Sequence, residues 1–94
     1  MAVGMLVEAP GVNAEGYDSI MQNLDWYGKE KPQGFVSHYA GPTESGWLVF
    51  DIWESQQDFE RFMQERLGPA MQQAFGEVPP MQPRFIPIHN QDHA

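Results

Sequence analysis

His38 is the side chain in this sequence with the most chemistry to offer. It stands in the β-prone stretch Gln33–Ala40, where an imidazole is an unusual choice, and an imidazole can take or give a proton near neutrality. Asp51 is the second candidate, in the stretch Trp47–Trp53, with Val49 and Trp53 on its own strand face. A carboxyl buried against aromatic surface can act as acid or base near neutral pH. Tyr39 and Trp53 offer flat walls for an aromatic substrate, and Tyr39 adds a hydroxyl. Arg84, a lone basic side chain in its stretch, is a candidate partner for a substrate carboxylate or enolate. Each has a plainer role open to it: a strand histidine with one hydrogen bond, a structural carboxylate, core aromatics, an ion pair.

Whether His38 and Asp51 meet depends on one register. If Ala40 pairs with Trp47, His38 faces Val49 and shares a sheet face with Asp51. A slip of one residue puts the two on opposite faces.

The elements that must position these residues can be read from breakers and periodicity. Ala2–Glu8 is a short strand closed by Pro10-Gly11. Asn13 caps a helix predicted to run to about Tyr27, with Tyr17, Ile20, Met21 and Leu24 on one stripe and Gly28 as its stop. Gln33–Ala40 and Trp47–Trp53 form a hairpin around Gly41–Gly46. Ser55, with Asp58 three residues on, caps a second helix whose apolar stripe carries Phe59, Phe62, Met63, Leu67, Ala70, Met71 and Ala74. Gly68-Pro69 should kink or split it, because proline lacks an N–H and crowds the preceding turn. Gln82–His89 is a fourth strand, and Pro83 and Pro87 confine it to a sheet edge. The order β-α-β-β-α-β is the ferredoxin-like α+β arrangement. Residues 1–90 are expected to form one domain and residues 91–94 a flexible tail.

Composition removes several function classes. Five Lys and Arg against thirteen Asp and Glu, a net charge of -8, give nucleic acid and anionic membranes nothing to bind. No apolar run approaches a membrane span and no signal-peptide pattern opens the sequence, so a cytoplasmic location is the default expectation. Without cysteine there is no disulfide framework or thiol catalysis. There is no phosphate-cradling glycine loop, dinucleotide fingerprint or nucleophile turn, so an enzyme here is expected to need no nucleotide cofactor. His89 and His93 have the spacing of a helical metal pair but stand in a non-helical tail, and no metal site is expected.

Two helices cover one face of a four-stranded sheet, yet the third strand is apolar on both. Leu48, Phe50 and Ile52 point one way; Trp47, Val49 and Trp53 point the other. An apolar face left open predicts a homodimer, sheet against sheet, in preference to a ligand-binding patch on a monomer.

The strand-to-helix segment Val49-Phe50-Asp51-Ile52-Trp53-Glu54-Ser55 and its continuation Phe59-Glu60-Arg61-Phe62 resemble the dimeric α+β barrel superfamily, within it the antibiotic biosynthesis monooxygenase group. His38-Tyr39-Ala40-Gly41-Pro42-Thr43, Gly46-Trp47, Glu65-Arg66-Leu67-Gly68-Pro69-Ala70 and Pro87-Ile88-His89-Asn90 together resemble short bacterial proteins of this fold. The resemblance spans nearly the whole chain and implies a homodimer with a pocket between helices and sheet in each subunit. It implies a small hydrophobic or aromatic ligand and, for function, a cofactor-independent oxygenase acting on a phenolic or polyketide-like substrate. His38 would then be the base, Asp51 a second catalytic group, and Tyr39, Trp53, Phe62 and Arg84 the substrate-binding side chains. A polyketide cyclase or lactone isomerase and a non-catalytic small-molecule binder are the alternatives. Haem degradation, a further activity of such relatives, is disfavoured. The helix from Gln56 to Phe75 has no histidine for the iron, and Phe62 stands at the position of the relatives' helical tryptophan.

Overall fold

The computed structural model describes residues 2–94. Four strands, β1 (Val3–Pro10), β2 (Phe35–Pro42), β3 (Gly46–Trp53) and β4 (Arg84–Pro87), make one antiparallel sheet in the order β2-β3-β1-β4. Helix α1 (Ala14–Leu24) joins β1 to β2. Helices α2 (Gln56–Phe62) and α3 (Gly68–Phe75), linked by a π-helical segment Met63–Leu67, join β3 to β4. This is the ferredoxin-like α+β arrangement expected from the sequence. Among the described residues β4 pairs with β1 alone, an edge position that suits Pro87 at its end, while Pro83 lies just before the strand.

Alternation along the strands sorts the side chains. Met5 and Val7 of β1 and Asp51 and Trp53 of β3 lie buried under the helices, with Ile20, Met21, Leu24, Phe59, Phe62, Ala70 and Met71 packed over the sheet. Trp53 is completely buried. On the other face Leu48, Phe50, Tyr39 and Ile86 remain exposed.

Several boundaries differ from the sequence reading. β1 runs on to Pro10, β2 starts only at Phe35, and β4 is shortened to Arg84–Pro87. Three further differences have a physical reason. α1 ends at Leu24 rather than near Tyr27, because Asp25 turns left-handed (φ 51°) and its N–H and that of Trp26 close the last turn onto Met21. A helix continued to Tyr27 would carry Trp26 off the core stripe. The turn instead buries Trp26 to 8% exposure and leaves Tyr27 86% exposed. The hairpin strands reach further than expected, to Pro42 and from Gly46, with the Thr43 N–H bonding the Gly46 carbonyl at 2.9 Å. The second helix is divided ahead of Gly68-Pro69, as expected, but by a π-helical turn that keeps the chain helical rather than by a gap. Gly68 N–H bonds the Met63 carbonyl five residues back, and a β-carbon at position 68 would stand only 2.9 Å from that oxygen. Glycine permits the approach, and Pro69 then falls in the first turn of α3, where its missing N–H is tolerated.

Candidate active site

The hairpin register differs from the expected one by two residues, not one. Ala40 pairs with Val49, Pro42 with Trp47, and His38 lies directly opposite Asp51. A shift of two preserves the face, so both side chains point under the helices. His38 Nδ1 is 2.6 Å from Asp51 Oδ1. The other carboxylate oxygen accepts the Trp53 Nε1–H at 3.0 Å, which fixes the carboxyl plane. Asp51 is 4% exposed, and these two contacts use both its oxygens.

On the far side of the imidazole, the Tyr17 hydroxyl lies 2.5 Å from His38 Nε2. Tyr17 comes from the first turns of α1, which Asn13 starts by accepting the Gly16 N–H at 2.9 Å. The result is a chain of hydrogen bonds, Tyr17–His38–Asp51–Trp53, laid across one helix and two strands. Burial pushes the Tyr17 phenol up to about 12, and the negative or ionisable groups Tyr27, Asp51 and Asp18 push the same way. Tyr17 is therefore a neutral phenol at physiological pH. Trp47 packs against its ring, 5.2 Å between centroids, and the Trp47 Nε1–H is buried without a partner among the described residues.

His38 and Tyr17 border a cavity of about 350 Å³ between the sheet and the helices. Its walls are chiefly apolar: Met5, Val7, Met21, Trp53, Phe62 and Met71 line it, and Val78–Met81 of the loop before β4 form one side. No lysine or arginine lines it. Such a space suits a flat, uncharged molecule with one hydroxyl directed at the polar chain.

Of the residues singled out from sequence, His38, Asp51, Trp53 and Phe62 come together here. Tyr39 and Arg84 do not. Tyr39 adjoins His38 on the same strand, so alternation turns it to the open face, 61% exposed and stacked on Phe50 at 6.4 Å. Arg84 pairs with Leu6, which also points away from the helices, and it is exposed at the sheet edge. His89 and His93 are exposed in the tail, outside any helix. Tyr17 is the residue sequence reasoning undervalued, as a core-stripe side chain. Its signal was a hydroxyl on an otherwise aliphatic stripe, which a buried helix face carries only with a polar partner waiting on the sheet.

Among the solved structures that share this architecture over almost their whole length are three of known source. SnoaB of Streptomyces nogalater, a cofactor-independent oxygenase, superposes with a TM-score of 0.64 over 96% of this chain and 94% of its own, at 10% identity. Rv0793 of Mycobacterium tuberculosis gives 0.62 over 99% and 100%, at 9% identity. The monooxygenase ActVA-Orf6 of Streptomyces coelicolor, in complex with nanaomycin D, gives 0.60 over 99% and 91%, at 16% identity. The ferredoxin-like α+β fold is the one these structures share. No protein-family model matches the sequence, and no curated protein matches it. Among the described residues no helix is long and apolar enough to cross a membrane.

Proposed function

We propose that this protein is a cofactor-independent oxygenase acting on a phenolic or polyketide-like substrate, with His38 as general base. The observation that carries the reading is an imidazole held between a buried carboxylate and a phenol in the wall of an apolar cavity. Asp51 can only accept, so it fixes the proton on Nδ1 and leaves Nε2 as the basic nitrogen. It also stabilises the imidazolium that forms when Nε2 takes a proton. Trp53 and Phe62 supply the walls. The solved oxygenases of the same fold support the reaction class.

The chemistry balances without a bound cofactor when the substrate itself reduces oxygen. Proton loss from an acidic CH2 beside a phenol leaves a carbanion-like enolate, with the proton on His38. The enolate gives electrons to O2 and a C–O bond forms. The peroxide oxygen takes back a proton from the imidazolium, and loss of water converts CH–OOH to C=O. Dithranol, a dihydroxyanthrone, carries such a CH2 and is the first substrate to try, beside a β-diketone panel. Oxygen uptake and product mass are the readouts. His38→Ala should lower turnover by about a hundredfold or more. A product without oxygen gain, formed without uptake, would replace the oxygenase by a cyclase or isomerase using the same base. Equal binding and no turnover in either protein would leave a non-catalytic binder.

We also propose that the open sheet face is a homodimer interface. Tyr39, Leu48, Phe50 and Ile86 make that face apolar and exposed, and a second copy removes such a surface from water.

A further inference from the structure

We propose that Tyr17, rather than His38, meets the substrate, taking the substrate's proton on its oxygen while passing its own to His38. The inference rests on the base reading above and goes beyond it in the identity of the contact. Both nitrogens of His38 are occupied: Nδ1 by Asp51 and Nε2 by the Tyr17 hydroxyl. The phenol and imidazole rings lie parallel within 1° with centroids 6.0 Å apart, so the 2.5 Å contact joins their facing ends rather than their faces. An imidazole nitrogen has a single lone pair, in the ring plane, and Tyr17 stands on it. A substrate hydroxyl or acidic C–H reaches that lone pair only by displacing Tyr17.

The phenol oxygen, by contrast, is engaged in a single hydrogen bond. Its hydrogen is committed to Nε2, and its lone pairs are free to accept a proton from a molecule in the cavity that Tyr17 lines. The bookkeeping closes: the substrate X–H bond breaks as a new O–H forms on Tyr17, the old Tyr17 O–H breaks as N–H forms on Nε2, and Asp51 neutralises the imidazolium. Tyr17 ends with as many protons as it began, so no free tyrosinate is needed. That suits a phenol whose surroundings resist ionisation. The cavity has no lysine or arginine to hold a second anion beside Asp51, so the matching substrate arrives neutral and ionises only in place.

p-Nitrophenol tests this without knowledge of the natural substrate, because its anion absorbs where the neutral phenol does not. Bound to the wild-type protein below its own ionisation range, it should show the anion band, and His38→Ala should abolish it. The relay predicts that Tyr17→Phe also loses the band, down to the His38→Ala level, while p-nitrophenol still binds by tryptophan quenching. A band kept or strengthened in Tyr17→Phe overturns the relay and leaves His38 as the direct base. No band in wild type, or one unchanged by His38→Ala, overturns the base reading and the relay with it. Nitrogen NMR of His38 guards against a merely structural effect. In Tyr17→Phe the Nε2 resonance alone should move, with Nδ1 still protonated toward Asp51; a change of tautomer would mean that the variant had rebuilt the site and that Tyr17 acts by positioning the ring.

Discussion

On β3, Trp47, Val49, Asp51 and Trp53 turn under the helices, while Leu48, Phe50 and Ile52 turn away from them. The two sets are nearly matched in hydrophobic character, and their fates diverge. The covered set gives Asp51 and Trp53 to a polar chain whose members have their hydrogen bonds met, beside a Trp47 indole N–H with no partner among the described residues. The open face exposes Leu48 at 38% and Phe50 at 37% on β3, beside Tyr39 at 61% on β2 and Ile86 at 47% on β4, while Ile52 is buried. A buried carboxylate joined to a half-buried imidazole costs desolvation that an apolar core would not, a cost that the proposed base chemistry accounts for. An exposed apolar face costs solubility, so its retention points to a partner. On the two proposals above, one strand serves a site on one face and an interface on the other, separated by a single residue of phase.

Trp53→Ala should break the covered side with the largest effect. Removing a fully buried indole costs about 3–5 kcal/mol, and here it also strips Asp51 Oδ2 of its donor. Urea unfolding, compared with Phe50→Ala on the open face, measures the asymmetry. Equal losses for the two variants would erase the distinction between the faces.

Charging the open face should disturb assembly and spare the site. The wild-type protein is expected to sediment as a dimer at micromolar concentration, and Leu48→Glu with Phe50→Glu to run as the 10.7 kDa chain. The His38–Asp51 pair, followed by the imidazole NMR signals, should be unchanged. A wild-type protein that is itself a 10.7 kDa species would remove the interface and leave the exposed face without an explanation.

Alkali gives a smaller and more selective test. The Tyr17 phenol is raised from 10.0 to about 12 in the folded chain, chiefly by burial. Between those values the folded protein holds a proton that the unfolded chain has released. Stability that is complete below pH 10 should therefore fall as pH rises towards about 12. Tyr17→Phe should flatten that part of the curve, and one of the three tyrosines should show a late phenolate absorbance. Matching slopes in the two proteins would place Tyr17 in a wetter setting than the cavity wall.

Much of this was legible in the sequence, because local rules and the fold agree. The caps at Asn13 and Ser55, the breakers, and the prolines at and beside β4 each act within a few residues of themselves. The shared face of His38 and Asp51, which the sequence leaves conditional on register, is found in the structure because its register differs by two residues and so keeps the face. What stayed hidden needed distances across the fold. Tyr17 and His38 are 21 residues apart, and nothing local says that a helix hydroxyl will end on a strand imidazole. The assignment of Tyr39 and Arg84 to the pocket failed for a different reason. It took side chains for their chemistry and let strand phase go, although His38 and Tyr39, as neighbours on one strand, cannot face the same way.

The smallest expected effect belongs to Pro69→Ala, which asks whether the helix over the cavity is bulged by its proline or by what it covers. Met63 and Leu67 of the π-helical segment both line the cavity. If proline alone imposed the bulge, alanine would restore a donor to a strained helix and raise stability by several kcal/mol. The geometry argues otherwise. The bulge is already closed by the Gly68 N–H on the Met63 carbonyl, upstream of Pro69, and Pro69 lies where a first-turn N–H needs no partner. Alanine would restore a backbone donor with little to gain from it, while releasing unfolded-chain entropy that proline restrains by about 0.4–1 kcal/mol. The two terms oppose each other, so the midpoint of urea unfolding should scarcely move. A large gain would show the helix straining against its proline; a near-zero change would assign the π-turn to the cavity, which needs Met63 and Leu67 on its wall.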